Sequence, residues 1–403
     1  MKTIIIAGLL LVCLLSGSCT SSQDFDAHLN SIVKQYRFSI ARWESRAIPL
    51  EVNQRIFGRQ ENIDYKVRVV TEYFSSTERM KALESEIEAV NAGNGNHDLA
   101  SLEDELDRLQ ERKMALEDAV EGTIEKQIKD TLTQQGIFNP IIEREVNFPP
   151  VSFKLEKLPY LLVISPRDRI ESMREITLKS GLTLEEIEDI EDRVDELGVS
   201  TLVVELGGVA TYPSLVDNEA GLRFTIDTIT EEWLHQYLAF KPLGFLYLLD
   251  VSGLSRNYEV ATMNETLASM ASKEIGSIVY ERYYPEYENG ANQSQAPESE
   301  FDFNQEMREI RKTVDTYLAR GEIEQAEEFM EQKRQYLASK GRYIRKLNQA
   351  YFAFHGTYAD RPTSVSPIGL DLKKLRGQSA SLKNFLNTVA AMTSRQELRD
   401  SIK

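Results

Sequence analysis

Hydrophobic positions along this chain follow two regimes. Over 76–135 they keep a strict helical step: Met80, Leu83, Ile87 and Val90 lie three or four apart. A polar break with two glycines follows at Asn91 to Asp98. Leu99, Leu102, Leu106, Leu109, Leu116 and Val120 then resume the step, with Lys113 in the one missed place. This predicts an antiparallel helical hairpin with a coiled-coil seam, projecting from the body, and makes His97 a turn residue at its tip. The preceding segment, 20–75, is weaker. Leu29, Ile32, Val33 and Tyr36 suggest one helix, Tyr65 to Tyr73 suits either a strand or a helix, and His28 and Trp43 read as surface and packing residues.

After Gly136 the pattern breaks into short mixed elements, which sets 136–290 apart as a second unit. Leu161 to Ser165 and Thr201 to Leu206 read as buried strands. Between them Thr183 and Glu186 form a capping box ahead of a helix ending at Gly198. Leu222 to Leu238 reads as a buried helix, and another helix opens at Asn264. A polar linker, 291–302, separates this unit from 303–403. There Gly321 and Gly341 punctuate three expected helices, Phe303 to Arg320, Ile323 to Ser339 and Arg342 to Phe354. A proline-bearing loop and one or two last helices from Leu370 to Ile402 follow. The expected fold class is α+β, predominantly α-helical, with a projecting N-terminal hairpin and a helical C-terminal subdomain.

Composition narrows the function classes. A net charge of -17 over 403 residues, 41% of them hydrophobic, gives enough apolar material for real cores and argues against sequence-independent nucleic-acid binding. At the N-terminus, Lys2 precedes an apolar run from Ile4 to Leu15, and Ser16, Gly17 and Ser18 stand before Cys19. The run is short for a membrane span. It reads as a lipoprotein signal over 1–19, with Cys19 lipidated and the protein held at the outer side of a bacterial cell membrane; an ordinary cleaved signal is the alternative. The other cysteine, Cys13, lies inside the run, so the mature chain is expected to have no disulfide.

The candidate chemistry sits in L-R-F-T-I-D-T-I-T-E-E-W-L-H-Q-Y-L, from Leu222 to Leu238. On a helix Glu231 and His235 project from one side, one turn apart, with Glu232 a step round. Zinc hydrolases place two ligands and a general base this way in H-E-x-x-H, and here Glu231 stands at the first ligand position. The plain alternative is that E-E-x-x-H forms salt bridges on an ordinary helix. Against it, Ile226, Ile229, Trp233 and Leu234 make the remaining faces apolar, so the acids should be buried or line a cleft.

Together with N-E-T at Asn264 to Thr266, K-P-L-G-F at Lys241 to Phe245 and N-Q-A-Y-F-A-F-H-G-T-Y at Asn348 to Tyr358, this stretch resembles a group of signal-bearing bacterial proteins related to gluzincin metallopeptidases. The resemblance implies a zincin-like domain over 136–290, with a small sheet whose edge strand aligns a peptide above the metal helix. It further implies Glu232 as general base, His235 and Glu265 as ligands of a divalent metal, typically zinc, and His355 or Tyr358 as a donor to the oxyanion. For His355 a packed or capping role is the alternative. Glu231 and Gln236 depart from the family's histidines. Two carboxylates and one imidazole leave a dication with about zero net charge instead of about one positive charge, which favours harder ions and slows turnover. Two readings therefore stand: a membrane-anchored extracytoplasmic metallopeptidase acting on a peptide or protein substrate, with activity weakened or lost, or a non-catalytic envelope scaffold that holds a partner.

Overall fold

The structure is a computed structural model, and it describes residues 20–47, 63–93, 98–142, 146–287 and 301–402. Cys19, His97 and most of the linker over 291–302 lie outside the described residues. Among those described, no helix is long and apolar enough to cross a membrane.

Helix α1 (Thr20–Val33) leads into a helical stretch over 40–47, and the long pair α2 (Ile63–Asn91) and α3 (Leu99–Gln134) follows. The stretch Tyr65 to Tyr73 is helical, within α2. At the tip of the pair Leu83 and Leu102 are buried, and Arg79 bridges Glu86 at 3.0 Å and Glu105 at 2.9 Å. At the base, Val70 and Phe74 of α2 and Val120, Ile124 and Ile128 of α3 join the largest core of the molecule. The break expected at residue 136 is thus a break in the sequence pattern and not in the core. Lys113, the residue that interrupts the seam, explains part of this attachment. Its Nζ donates to the Asn218 carbonyl at 2.6 Å and lies over the Tyr73 ring, which ties α3 to the body.

Six strands make two small sheets: β1 (Phe153–Glu156), β2 (Tyr160–Pro166), β3 (Arg174–Leu178), β4 (Val199–Glu205), β5 (Gly208–Val209) and β6 (Ser214–Asp217). The first sheet has the antiparallel order β3-β2-β4. Leu162, Ile164 and Val203 turn one of its faces to α1 and to α4 (Leu184–Asp195), which Thr183 opens with the expected capping box. Val163 and Leu202 turn the other face toward the C-terminal helices. Because both faces are covered, these strands read in the sequence as continuous apolar runs. The second sheet has the order β1-β6-β5, with β1 and β6 parallel and β5 antiparallel to β6. Carboxylates of α3 close the outer edge of β1. Glu121 accepts from the Leu155 amide at 2.9 Å and Glu125 from the Phe153 amide at 3.1 Å.

Between hairpin and sheets run α5 (Leu222–Leu238), the short α6 (Pro242–Val251) and α7 (Tyr258–Tyr283). Helices α5 and α7 are antiparallel neighbours. Arg223 near the start of α5 donates to the Lys273 carbonyl and to Ser277, and a Cβ at Gly276 would sit 1.8 Å from an Asp227 oxygen. Only glycine permits so close an approach.

The C-terminal part divides its allegiance. Helices α8 (Phe303–Ala319) and α9 (Ile323–Ser339) build their own core around Met307, Val314 and Met330. The next helix does not begin at Arg342, as its spacing predicts. It is α10 (Gln349–Gly356), capped by Asn348, and the stretch before it is spent on ion pairs. Arg345 donates to both oxygens of Glu191 at 2.8 and 2.6 Å, and Lys346 pairs with Asp195 at 2.8 Å. Three helices end the chain instead of one or two: α11 (Pro367–Gln378), α12 (Leu382–Ala390) and α13 (Arg395–Ser401), each opened by a serine cap. Their apolar faces join the central core beside α7.

Candidate functional site

Helix α5 is fixed by what it buries. Leu222, Ile226, Ile229, Trp233 and Leu234 are inaccessible, and the Trp233 indole donates to the Pro149 carbonyl at 2.8 Å. With those faces committed, Glu231 and His235 share a face that meets α7. Gln236 turns elsewhere, donating to the Thr211 carbonyl and to Ser214 next to β6.

One ligand-capable atom each from Glu231, His235 and Glu265 lie within 4.8 Å of one another, and His235 Nε2 is 3.6 Å from Glu265 Oε2. Every member of N-E-T has a separate task. Asn264 holds His235 by its side-chain amide, 3.0 Å from Nδ1, and so fixes the ring. In the structure the amide nitrogen faces Nδ1, which leaves the ring proton on Nε2 toward Glu265 and Asn264 Oδ1 buried without a partner; turning the amide over sets that oxygen against Nδ1–H and gives Nε2 the lone pair that a metal ligand needs. Glu265 accepts from the Tyr247 hydroxyl through Oε1, while its Oε2 is buried without a hydrogen-bond partner. Thr266 accepts from the Ala359 amide at 2.9 Å and donates to the Thr357 carbonyl at 3.2 Å, gripping the loop on either side of Tyr358. The loop is tied a second time where Ser269 and Lys273 bind Asp360.

Glu232 is not one of the three converging groups. Its side chain lies against β5, where a Cβ on Gly208 would come 2.5 Å from Oε1 and 2.8 Å from Cγ, so the carboxyl fits only beside a glycine backbone. Tyr247 of α6, which no spacing rule singles out, stacks on His235 with ring centroids 5.6 Å apart. Its signal in the sequence is only a polar tip within the apolar L-G-F-L-Y-L-L run.

The electrostatics follow from burial and crowding. Burial pushes Glu231 up to about 8, with Glu265 adding to the push and Lys273 opposing it. Burial raises Glu232 well above the carboxylate range, and Glu231 and Glu265 reinforce it. Tyr358 is likewise raised, first by burial and then by Glu265, Glu231 and Glu232, which places its hydroxyl in the field of all three acids. His355 is elsewhere. Its Nδ1 faces Arg361 at 3.1 Å, its ring packs between Tyr351 and Phe354, and among the described residues it makes no contact with the three groups. Burial, and then Arg361, lower it to about 4.

A divalent ion fits this donor set. Two carboxylates and an imidazole are ordinary ligands for zinc or manganese, and metal–ligand bonds of about 2.0–2.2 Å separate tetrahedral ligand atoms by about 3.3–3.6 Å. The 3.6 Å between His235 and Glu265 suits that span, and the unpartnered oxygen of Glu265 is a lone-pair donor with nothing to satisfy it. Compared with protein-family models, with curated proteins and with solved structures, the chain matches none.

Proposed function

We propose that this protein is a divalent-metal-dependent hydrolase of gluzincin-like design, acting on peptides and held at the outer side of a bacterial membrane through Cys19. The reading is supported above all by the convergence of Glu231, His235 and Glu265, drawn from two helices, with Asn264 orienting the histidine. Those three residues would hold the ion; when bound it polarises a carbonyl and acidifies water. Glu232, kept out of that group and raised by its surroundings, takes up a proton beside the reacting carbonyl. Tyr358 stays protonated and donates to the developing oxyanion. Among the described residues strand β5 pairs only with β6, so its other edge would offer backbone groups to an extended peptide next to Glu232.

Glu231 also favours a second reading, a shell that keeps the ion or the cleft but not turnover, because a nearly neutral site polarises its substrate poorly. Metal analysis and peptide hydrolysis separate the two. The full chain prepared without chelator should carry about one divalent ion, lost in His235→Ala; a metal-free wild type overturns both the hydrolase and the metal-keeping shell. Glu231→His should raise hydrolysis of a peptide library by at least about tenfold. Metal-loaded E231H that cleaves nothing would leave the non-catalytic reading standing.

A further inference from the structure

An open cavity of about 510 Å³ is lined by His355, the first turn of α7, helices α8 and α10, the loop that leads into α11 and Arg395 of α13. That volume falls in the range of small-molecule sites. Phe303, Met307, Phe352 and Ile368 give it apolar walls, and three guanidinium groups, Arg311, Arg361 and Arg395, reach its lining.

The hydrogen-bonding balance of these arginines is uneven. Each guanidinium has five N–H donors and no acceptor. Arg311 binds both oxygens of Asp315 through Nε, at 3.0 Å each, and Arg395 binds Glu259 through Nη1 at 2.9 Å. Arg395 Nε is buried with no partner. Arg361 forms no ion pair among the described residues; its neighbours are the His355 ring and the face of Tyr358, 4.4 Å from its carbon. With His355 neutral near pH 7, no carboxylate contacts Arg361 among the described residues, and its charge faces the cavity as well as reaching Glu231 from a distance. The lining therefore holds surplus donors and positive charge beside apolar surface. A ligand that brings acceptors to a guanidinium forms charge-assisted hydrogen bonds, the strong kind.

We propose that this cavity binds a carboxylate carried on an apolar body, with Arg361 as its anchor. The carboxylate could belong to the C-terminal residue of a peptide or to a free organic acid, and both share the chemistry that the cavity reads. None of the arginines or apolar wall residues is a candidate metal ligand, although Arg361 also stacks on Tyr358.

Calorimetric titration of the full chain tests it with four probes: N-acetyl-phenylalanine, hexanoate, N-acetyl-phenylalanine amide and inorganic phosphate. The two carboxylates should bind, the tighter one naming the source. The amide, which lacks the charge, and phosphate, which lacks the apolar body, should each bind at least about tenfold more weakly. Arg361→Gln should erase the preference for acid over amide. Val365→Trp, which fills the cavity from its lining without touching an arginine, should abolish binding while the chain stays folded by circular dichroism. Equal binding of acid and amide overturns the proposal, as does phosphate binding as tightly as the acids, no carboxylate binding at millimolar concentration, or unchanged binding in V365W. Running the titration again after chelation keeps this result separate from the metal reading, since binding should persist.

Discussion

Two clusters of buried acid in this molecule differ in how they are compensated. Under α4, Glu191 is 2% exposed, yet every lone pair that matters has a donor: the Val203 amide at 2.6 Å, both arms of Arg345, and Lys346 at 3.5 Å. Between α5 and α7, Glu231, Glu232 and Glu265 share one imidazole and the distant help of Lys273 and Arg361. Glu231 rises to about 8, and one oxygen of Glu265 has no partner. The same chain thus supplies full compensation where an acid serves the fold and withholds it where Glu231 and Glu265 meet His235, with Glu232 beside them. Uncompensated buried charge is costly, and its concentration between two helices is the observation on which the proposed metal site rests.

Breaking the compensated cluster should have the largest effect. Arg345→Met removes the bidentate partner and leaves Glu191 charged in the interior, so stability should fall by about 3–5 kcal/mol in urea unfolding. An R345M chain within about 0.5 kcal/mol of wild type would mean that Glu191 is not held as described.

The two clusters were unequally visible in the sequence. Glu231, His235 and Glu265 could be read because a four-residue step on a helix fixes a shared face, and because N-E-T lies on a second helix at the distance the resemblance implies, although that helix, α7, opens at Tyr258 under an Asn257 cap and not at Asn264 as expected. Glu191 could not, since its partner Arg345 stands 154 residues away in a stretch whose spacing imitates a helix. The imitation failed because Arg345 and Lys346 gain more from buried carboxylates than from one more helical turn. Tyr247 escaped for a related reason: its position follows from the packing of α6 on the end of α5, where Gly244 admits the Leu238 carbonyl 2.1 Å from where a Cβ would be. The hairpin seam was legible as a pattern, while its anchoring through Lys113 to Asn218 was not. His355 shows the converse error, for its type and place matched a role that the fold assigns away from the acids.

A third buried acid lies between the two extremes and sharpens the contrast through pH. Glu121 of α3 accepts from Lys154 at 2.6 Å and from the Leu155 amide, yet burial outweighs both and pushes it up to about 7 from an ordinary value of 4.5. Because the folded chain holds this proton more tightly than the unfolded one, the contribution is fully present below pH 4.5 and is lost as pH rises toward about 7. Wild type should therefore lose on the order of 2 kcal/mol relative to Glu121→Gln across that window. Thermal unfolding at several pH values reads the difference, and parallel curves for the two proteins would refute it.

The smallest effect is also the most discriminating, because it reverses the usual sign. Glu265→Gln keeps the shape of the side chain and can still accept from Tyr247, but it removes the acid that helps raise both Glu231 and Glu232, and an oxygen with no donor. In chelator-treated protein the variant should be more stable than wild type by about 1 kcal/mol, as expected where a site holds groups that folding alone would not choose. Added zinc or manganese should then invert the order. The ion stabilises only the chain that can bind it, by about 2.7 kcal/mol at a hundredfold excess over its dissociation constant. If E265Q is the less stable protein both with and without metal, Glu265 serves the fold as Glu191 does, and the contrast between the two clusters disappears.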